Sequence, residues 1–325
     1  VSENTFIIQS SPHYLDKDSV PKIMYTVIFA LLPAVAASLY FFGLRAVGLY
    51  VSCLVACLAT EAIFLLVRKK PIQSLWDGSV VITGLLLAMT LPPTLSLELA
   101  VIGSVVAVAI GKQVFGGLGH NIFNPALVGR AFLQTAFPVA MTTWLPPTAL
   151  SIDTATYATP LANLKFQEAV VHGTLTPIKQ LFWGNTGGCI GETSAIALLV
   201  GAILLIAKKT IDWRIPAGII LALTAFTGIF WLAAPDQYAS PLFHILAGGL
   251  VIGAFFMATD MVTSPIYSKS TWIYALGIGI MVGLVRLFGG FPEGVMYAIL
   301  FMNTLVPLLN RTFRPRILGE RRNPA

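Results

Sequence analysis

The chain has 325 residues, 56% of them hydrophobic and 10% charged, with a formal net charge of +6. A soluble globular chain is about 25% charged, and no single aqueous core hides so much apolar side chain, so the composition excludes a soluble domain and makes lipid the solvent. The basic residues stand beside apolar segments as topology signals do, without interleaved aromatics, which sets nucleic acid aside.

In chain order, residues 1–23 read as a polar segment of mixed charge, with no short apolar run before a cleavage site and so no signal peptide. A bilayer-spanning helix needs about 20 apolar residues. Ten stretches are candidates: 24–42, 46–67, 78–92, 97–114, 125–141, 192–207, 215–234, 241–258, 271–288 and 294–310. The third, fifth and sixth are short, a mark of broken helices that line a site. The long connection 142–191 is mostly polar and divides a first five-helix unit, 24–141, from a second, 192–310; a basic tail, 311–325, follows.

With the N-terminus inside, every Lys and Arg except Arg45, Lys165, Lys179 and Arg286 falls on the cytoplasmic side, Lys112 and Arg130 included. That bias puts both termini in the cytoplasm and 142–191 outside. The two units also resemble each other. Gly84–Thr90 (GLLLAMT) matches Gly253–Thr259 (GAFFMAT), and Lys112–Gly117 (KQVFGG) matches Val285–Gly290 (VRLFGG). A repeat with an odd number of spans enters the membrane inverted, which places the functional site near the midplane. The expected fold is an all-α polytopic membrane protein of about ten transmembrane helices, in two inverted five-helix repeats with broken helices.

No dinucleotide fingerprint, P-loop or Cys/His metal cluster is present. Cys53, Cys57 and Cys189 form no disulfide framework. Cys53 and Cys57 share a helix face, as packing residues or as half of a metal site.

Three features carry chemistry. The first is Gly187–Ala195 (GGCIGETSA), a glycine-rich turn that opens a helix. The free N–H groups and positive dipole end there suit a phosphate, with the Thr193 hydroxyl alongside; ordinary capping by Thr193 or Ser194 is the other reading. The second is Gly116–Ala126 (GGLGHNIFNPA), in which Asn121 and Asn124 precede a helix-starting Pro125. Buried amides at membrane depth need partners, supplied either by a ring system such as a flavin or by neighbouring helix ends.

The third feature is the set of acidic residues Glu61, Asp77, Asp260 and Glu293. A mid-bilayer carboxylate costs roughly 2.5–3.5 kcal/mol. Glu61 is the most embedded, on the face of Cys53 and Cys57, and Asp260 follows MAT; Asp77 and Glu293 read as solvated positions at helix entries. Neither Glu61 nor Asp260 has a basic partner in its own helix. Each is a candidate for an ion path, as a hard oxygen ligand or a proton carrier, or a hydrogen-bond acceptor for a neighbouring helix end.

These segments resemble the RnfD/NqrB family end to end. The matching stretches are Ser19–Met24 with Ala30–Ala34, Asp77–Gly84 running to Leu91–Pro93, Gly116–Arg130 (GGLGHNIFNPALVGR), Gly191–Ser194 (GETS) and Met257–Asp260 (MATD). The resemblance implies a subunit of a bacterial inner-membrane, redox-driven Na⁺ or H⁺ pump. It implies FMN joined by a phosphoester to Thr193, within the site Gly191, Glu192 and Ser194, and added outside the cytoplasm by a flavin transferase. It implies a second, non-covalent flavin, riboflavin, held by Asn121, Asn124 and Asp260. The implied partners are the other Rnf subunits (A, B, C, E and G), and the implied reaction is electron transfer between ferredoxin and NAD⁺. The short segment before the first span favours the RnfD branch over the quinone-reducing NqrB branch. A urea-transporter-like solute channel is the alternative from another class, and Thr193 in its glycine turn argues against it.

Overall fold

A computed structural model describes residues 19–145, 158–167 and 169–315. Residues 1–18 of the expected N-terminal segment and most of the basic tail, with Lys17, Arg316, Arg321 and Arg322, lie outside the described residues, and the first helix takes in the end of that segment from Val20.

The first helix, α1 (Val20–Phe42), has Pro21 in its first turn, where the missing N–H is one that a helix end leaves idle. At Gly43 a φ of +57° turns the chain into α2 (Leu44–Val67). A 3₁₀ turn, Ile72–Asp77, leads into the short α3 (Ser79–Met89). Next comes α4 (Leu97–Val108), which continues as a π-helical turn, Ala109–Gln113. Asn124 caps α5 (Pro125–Ala136), and Pro138 separates it from the single turn α6 (Pro138–Met141). The connection carries α7 (Pro160–Phe166) and α8 (Ile178–Trp183). The second half holds α9 (Ala195–Ala207), α10 (Arg214–Ala233), α11 (Pro241–Leu246) and the single turn α12 (Leu250–Ile252). A second π-helical turn, Gly253–Met257, follows, then α13 (Ser268–Phe288) and α14 (Val295–Thr312).

The described residues are helices and loops, and the protein is a multi-pass membrane protein. Four helices, α1, α2, α10 and α13, are long and apolar enough to cross a membrane, and α3 and α9 are shorter apolar helices. Large apolar side chains stand exposed on the outer faces, such as Val55, Ile63 and Leu66 on α2 and Leu221, Ile229 and Leu232 on α10. Between helices lipid gives no hydrophobic drive, so close backbone approach supplies the packing. In α9, a Cβ on Gly201 would collide with the Ala30 carbonyl of α1; in α5, one on Gly129 would meet the Gly103 carbonyl of α4 at 2.7 Å. The main pairings are α2 with α3 and α4, α4 with α5, α10 with α13, α13 with α14, and α1 with α9.

Two expectations about the spans change. The stretch 241–258 is the most interrupted, although its length hid this: α11 ends before Gly248, whose φ of +69° breaks the helix, and only α12 and the π turn follow. The stretch 192–207 begins its helix only at Ala195, so Glu192 and Thr193 belong to the turn.

Candidate functional site

The glycine turn is fastened to the open end of α3. The N–H of Ile190 donates to the Leu91 carbonyl at 3.0 Å and that of Gly191 to the Met89 carbonyl at 2.7 Å. Those carbonyls at a helix C-terminus otherwise lack partners. The approach excludes a side chain at Gly191, since a Cβ there would lie 2.5 Å from the Met89 Cβ. Ser194 is the cap of α9, its hydroxyl accepting from the Ala197 N–H at 3.4 Å. Thr193, buried just before it, is left out of the capping. It lines a small pocket with Thr186, Gly187, Gly188, Glu192 and Glu293.

Beside this turn lies a buried charge cluster. Arg130 of α5 donates from Nη1 to Glu192 Oε1 at 3.3 Å and from Nη2 to Glu293 Oε2 at 2.8 Å. The Cys189 sulfur lies 3.5 Å from Nη2. Arg130 Nε and Glu192 Oε2 have no partner among the described residues. Arg286 of α13 donates to the carbonyls of His244 and Ala247 at the break after α11, and its Nε also lacks a partner there. Cys189, Glu192 and Glu293 offer ligand atoms within 4.8 Å of one another. A metal ion there would have to displace the guanidinium that already holds both carboxylates, so the geometry is that of an ion-pair cluster.

A cleft of about 570 Å³ opens beyond it, walled by Trp144, Phe166, Phe291 and Tyr297 with Arg130 and Glu293 at its base. Thr159 and Glu293 border both this cleft and the Thr193 pocket. Lys165 of α7 holds the cleft's rim to α13, donating to the carbonyls of Val285 at 2.9 Å and Phe291 at 3.0 Å.

The second centre is a cavity of about 80 Å³. Asn121, Asn124, Asp260, Lys112 and Ser79 line it together with Phe255 and Phe256. Asn124 accepts from the N–H groups of Ala126 and Leu127 and donates to the Met257 carbonyl at 3.2 Å, so its amide serves helix ends. Asn121 donates to the Phe123 carbonyl at 3.2 Å. Asp260 accepts from Thr263 Oγ1 at 3.0 Å within its own turn. Lys112 Nζ donates to Glu61 Oε1 at 2.8 Å, Glu61 Oε2 at 2.7 Å and Ser79 Oγ at 2.7 Å. The Ser79 hydroxyl donates to Asp77 Oδ1 at 2.6 Å.

The profile of the NQR2, RnfD, RnfE family matches residues 7–319. The chain belongs to this family. Among its relatives, a Clostridium ljungdahlii protein, named as the D subunit of a proton-translocating ferredoxin:NAD(+) oxidoreductase complex, is 46% identical, over 99% of this chain and 98% of its own. An Acetobacterium woodii protein, named as the D subunit of a Na(+)-translocating complex of the same kind, is also 46% identical, over 98% and 97%. A Stutzerimonas stutzeri protein, named as the D subunit of an ion-translocating oxidoreductase complex, is 39% identical, over 94% and 93%.

In this NQR2/RnfD/RnfE family member the residues named from sequence gather at two places. Gly191, Glu192, Thr193 and Ser194 meet at the glycine turn, and Asn121, Asn124 and Asp260 meet at the cavity, with Glu61 behind Lys112. Three placements are corrected. Lys112 and Arg130 are not loop charges but buried ion-pair partners, and Glu293 is not solvated at a helix entry but paired with Arg130. The signal for both cations was present: each lies inside a stretch apolar enough to be read as a span, where a charge needs a partner. Arg286 was counted only as a charge off the cytoplasmic side, because its contacts to His244 and Ala247 form only across the break after α11.

Proposed function

We propose that this chain is the flavin-carrying membrane subunit of an Rnf-type ferredoxin:NAD⁺ oxidoreductase that pumps Na⁺ or H⁺, active only within its complex. Thr193 carries FMN through a phosphoester, and the chain relays electrons. The observation that carries this reading is Thr193 itself: buried, unused as a cap, and one shared wall away from an aromatic cleft of about 570 Å³. That size is within the usual range of pockets for ligands as large as a flavin. The residues present fit the group. Gly187 and Gly188 line the small pocket of about 10 Å³ beside Thr193, Arg130 Nε is a buried donor without a partner among the described residues, and Arg130 offsets the two carboxylates that a phosphate would meet. When bound, the flavin supplies the redox chemistry; the chain supplies position and field.

The cavity at Asn121, Asn124 and Asp260 is proposed as the seat of a non-covalent riboflavin. Its walls are apolar with a few convergent polar groups, the usual make-up of such sites. At about 80 Å³ it admits a three-ring system only if side chains such as Phe255 and Phe256 move aside. Glu61 and Asp260 are proposed for the ion path. Ten spans in two inverted repeats are the proposed architecture, supported by pairings that recur in each half, α2 with α4 and α10 with α13, then α4 with α5 and α13 with α14. The proposed setting is the bacterial inner membrane, both termini in the cytoplasm and 142–191 outside, with the other Rnf subunits (A, B, C, E and G) as partners and a flavin transferase for maturation.

The test is the mass of the purified chain made with its flavin transferase. One FMN minus water is expected on the wild type and none on Thr193→Ala, which stays folded because Ser194 keeps the cap. An adduct that persists in Thr193→Ala overturns the assignment.

A further inference from the structure

Thr193 is only 3% exposed, and residues 186–194 are buried with it. The space beside it is about 10 Å³, room for about one water. The donors of the turn suit a phosphate, but nothing as large as a flavin nucleotide reaches the hydroxyl while that space is closed. What closes it comes from the connection. Leu161 of α7 and Leu181 of α8 wall the pocket. The end of α8 rests on Thr193 itself: a Cβ on Gly184, at a φ of +102°, would lie 2.5 Å from the Thr193 carbonyl oxygen. Both helices are short, at 7 and 6 residues, well below the about 12–15 residues at which a helix begins to hold alone, so docking keeps them in place. The docking is slight. Leu161 and Leu181 pack with Ala239, Phe243 and Ala247 in a small cluster separate from the main apolar core. Lys165 pins α7 to the end of α13 and the loop after it, donating to the carbonyls of Val285, Arg286 and Phe291 at 2.9, 3.3 and 3.0 Å. These contacts can part without unpacking the membrane helices. Thr159, the cap of α7, also borders both the pocket and the cleft of about 570 Å³, so lifting α7 joins the two spaces.

We propose that α7 and α8 form a cover over Thr193, and that the flavin transferase acts on the chain with this cover open. The proposal rests on the reading of Thr193 as the FMN site. A phosphoester forms from an activated phosphoryl donor, here a flavin dinucleotide. Thr193 Oγ forms its bond to the FMN phosphorus and the phosphoanhydride bond breaks. The nucleoside monophosphate leaves, and the hydroxyl proton passes to solvent. Opening the cover admits the donor and joins the pocket to the cleft, where a ring system has room.

The test uses the whole purified complex made without the transferase. In the first arm Thr193→Cys is exposed to a maleimide, and labelling at position 193 is read by peptide mass against the complex that keeps Thr193. Cys53 and Cys57, buried in the first half, report any general loosening. Adding Lys165→Met should speed labelling at position 193 by roughly tenfold or more, the worth of one hydrogen bond to a charged group, with Cys53 and Cys57 unchanged. In the second arm Thr193 is kept, transferase and flavin adenine dinucleotide are added, and the mass of the chain is followed. Lys165→Met should take up one FMN minus water faster than the wild type by a similar factor. Leu181→Ala loosens the cover at α8 and should act in the same direction in both arms; it carries the test if Lys165→Met does not assemble. Labelling and attachment as fast in the wild type as in these variants overturn the proposal, as does an acceleration that extends to Cys53 and Cys57. Accelerated labelling with no FMN attached to any variant overturns the reading of Thr193 instead, and the proposal falls with it.

Discussion

The two buried charge centres differ in how completely they are satisfied. At the cavity, one lysine faces one glutamate, and every Lys112 donor is used. At the glycine turn, one arginine serves two carboxylates, and Arg130 Nε, Glu192 Oε2 and Arg286 Nε are left without partners among the described residues. A closed pair needs an added charge before it opens. An unfinished cluster has donors and acceptors ready for a group that is still to arrive. Both centres are buried, so burial does not tell them apart; unspent hydrogen-bonding capacity does.

The largest effect should follow from breaking the unfinished cluster. Arg130→Met leaves Glu192 and Glu293 facing each other without their shared cation, and losing one partner of a buried pair costs about 3–5 kcal/mol. A clear drop in the thermal midpoint of the detergent-solubilised complex is expected, and an unchanged midpoint would mean that the cluster is not held by Arg130. A smaller effect is expected from Asn124→Ala at the cavity. It removes the cap of α5 and the bond to Met257, so the loss should be near the usual cost of a cap, about 1 kcal/mol; a loss several times larger would show that this amide does more than tie helix ends. The smallest effect should come from replacing the closed pair as a unit. Glu61→Leu with Lys112→Met exchanges a buried ion pair for apolar side chains, a change that is often neutral for stability. Its thermal midpoint should stay close to that of the wild type while ion uptake by the complex in liposomes is lost; normal ion uptake would take the pair out of the transport path.

The helices were legible because lipid imposes a simple rule: long apolar runs with charges at their ends. All four long spans follow it within a few residues. The candidate segments stood out in the sequence, but each also read as a helix cap, and Ser194 and Asn124 do cap α9 and α5. Two things escaped. The breaks at Gly248 and the π turns depend on local backbone choices that an apolar run does not encode. Ion-pair partners such as Lys112 and Glu61, or Arg130 and Glu293, are far apart in sequence, so pairing shows only after the helices are packed. The charge-counting argument for topology also treats any cation near a span end as a loop residue, and that assumption misplaced Lys112 and Arg130.

The π turn at Ala109–Gln113 has a consequence for inheritance. Its Val114 N–H reaches back to the Ala109 carbonyl at 2.9 Å, one residue further than an α-helix would, so the turn holds one amino acid more than the ladder requires. Lys112 sits inside that turn, and its aim at Glu61 depends on the extra residue. Deleting a single codon among those for 109–111 would restore regular α-helical spacing and swing Lys112 by about 100° relative to α4, the angle one residue subtends around a helix. Every residue named at the cavity would still be encoded, yet the lysine would no longer point at its glutamate. In this gene the reading of the pair is therefore written in length as well as in letters.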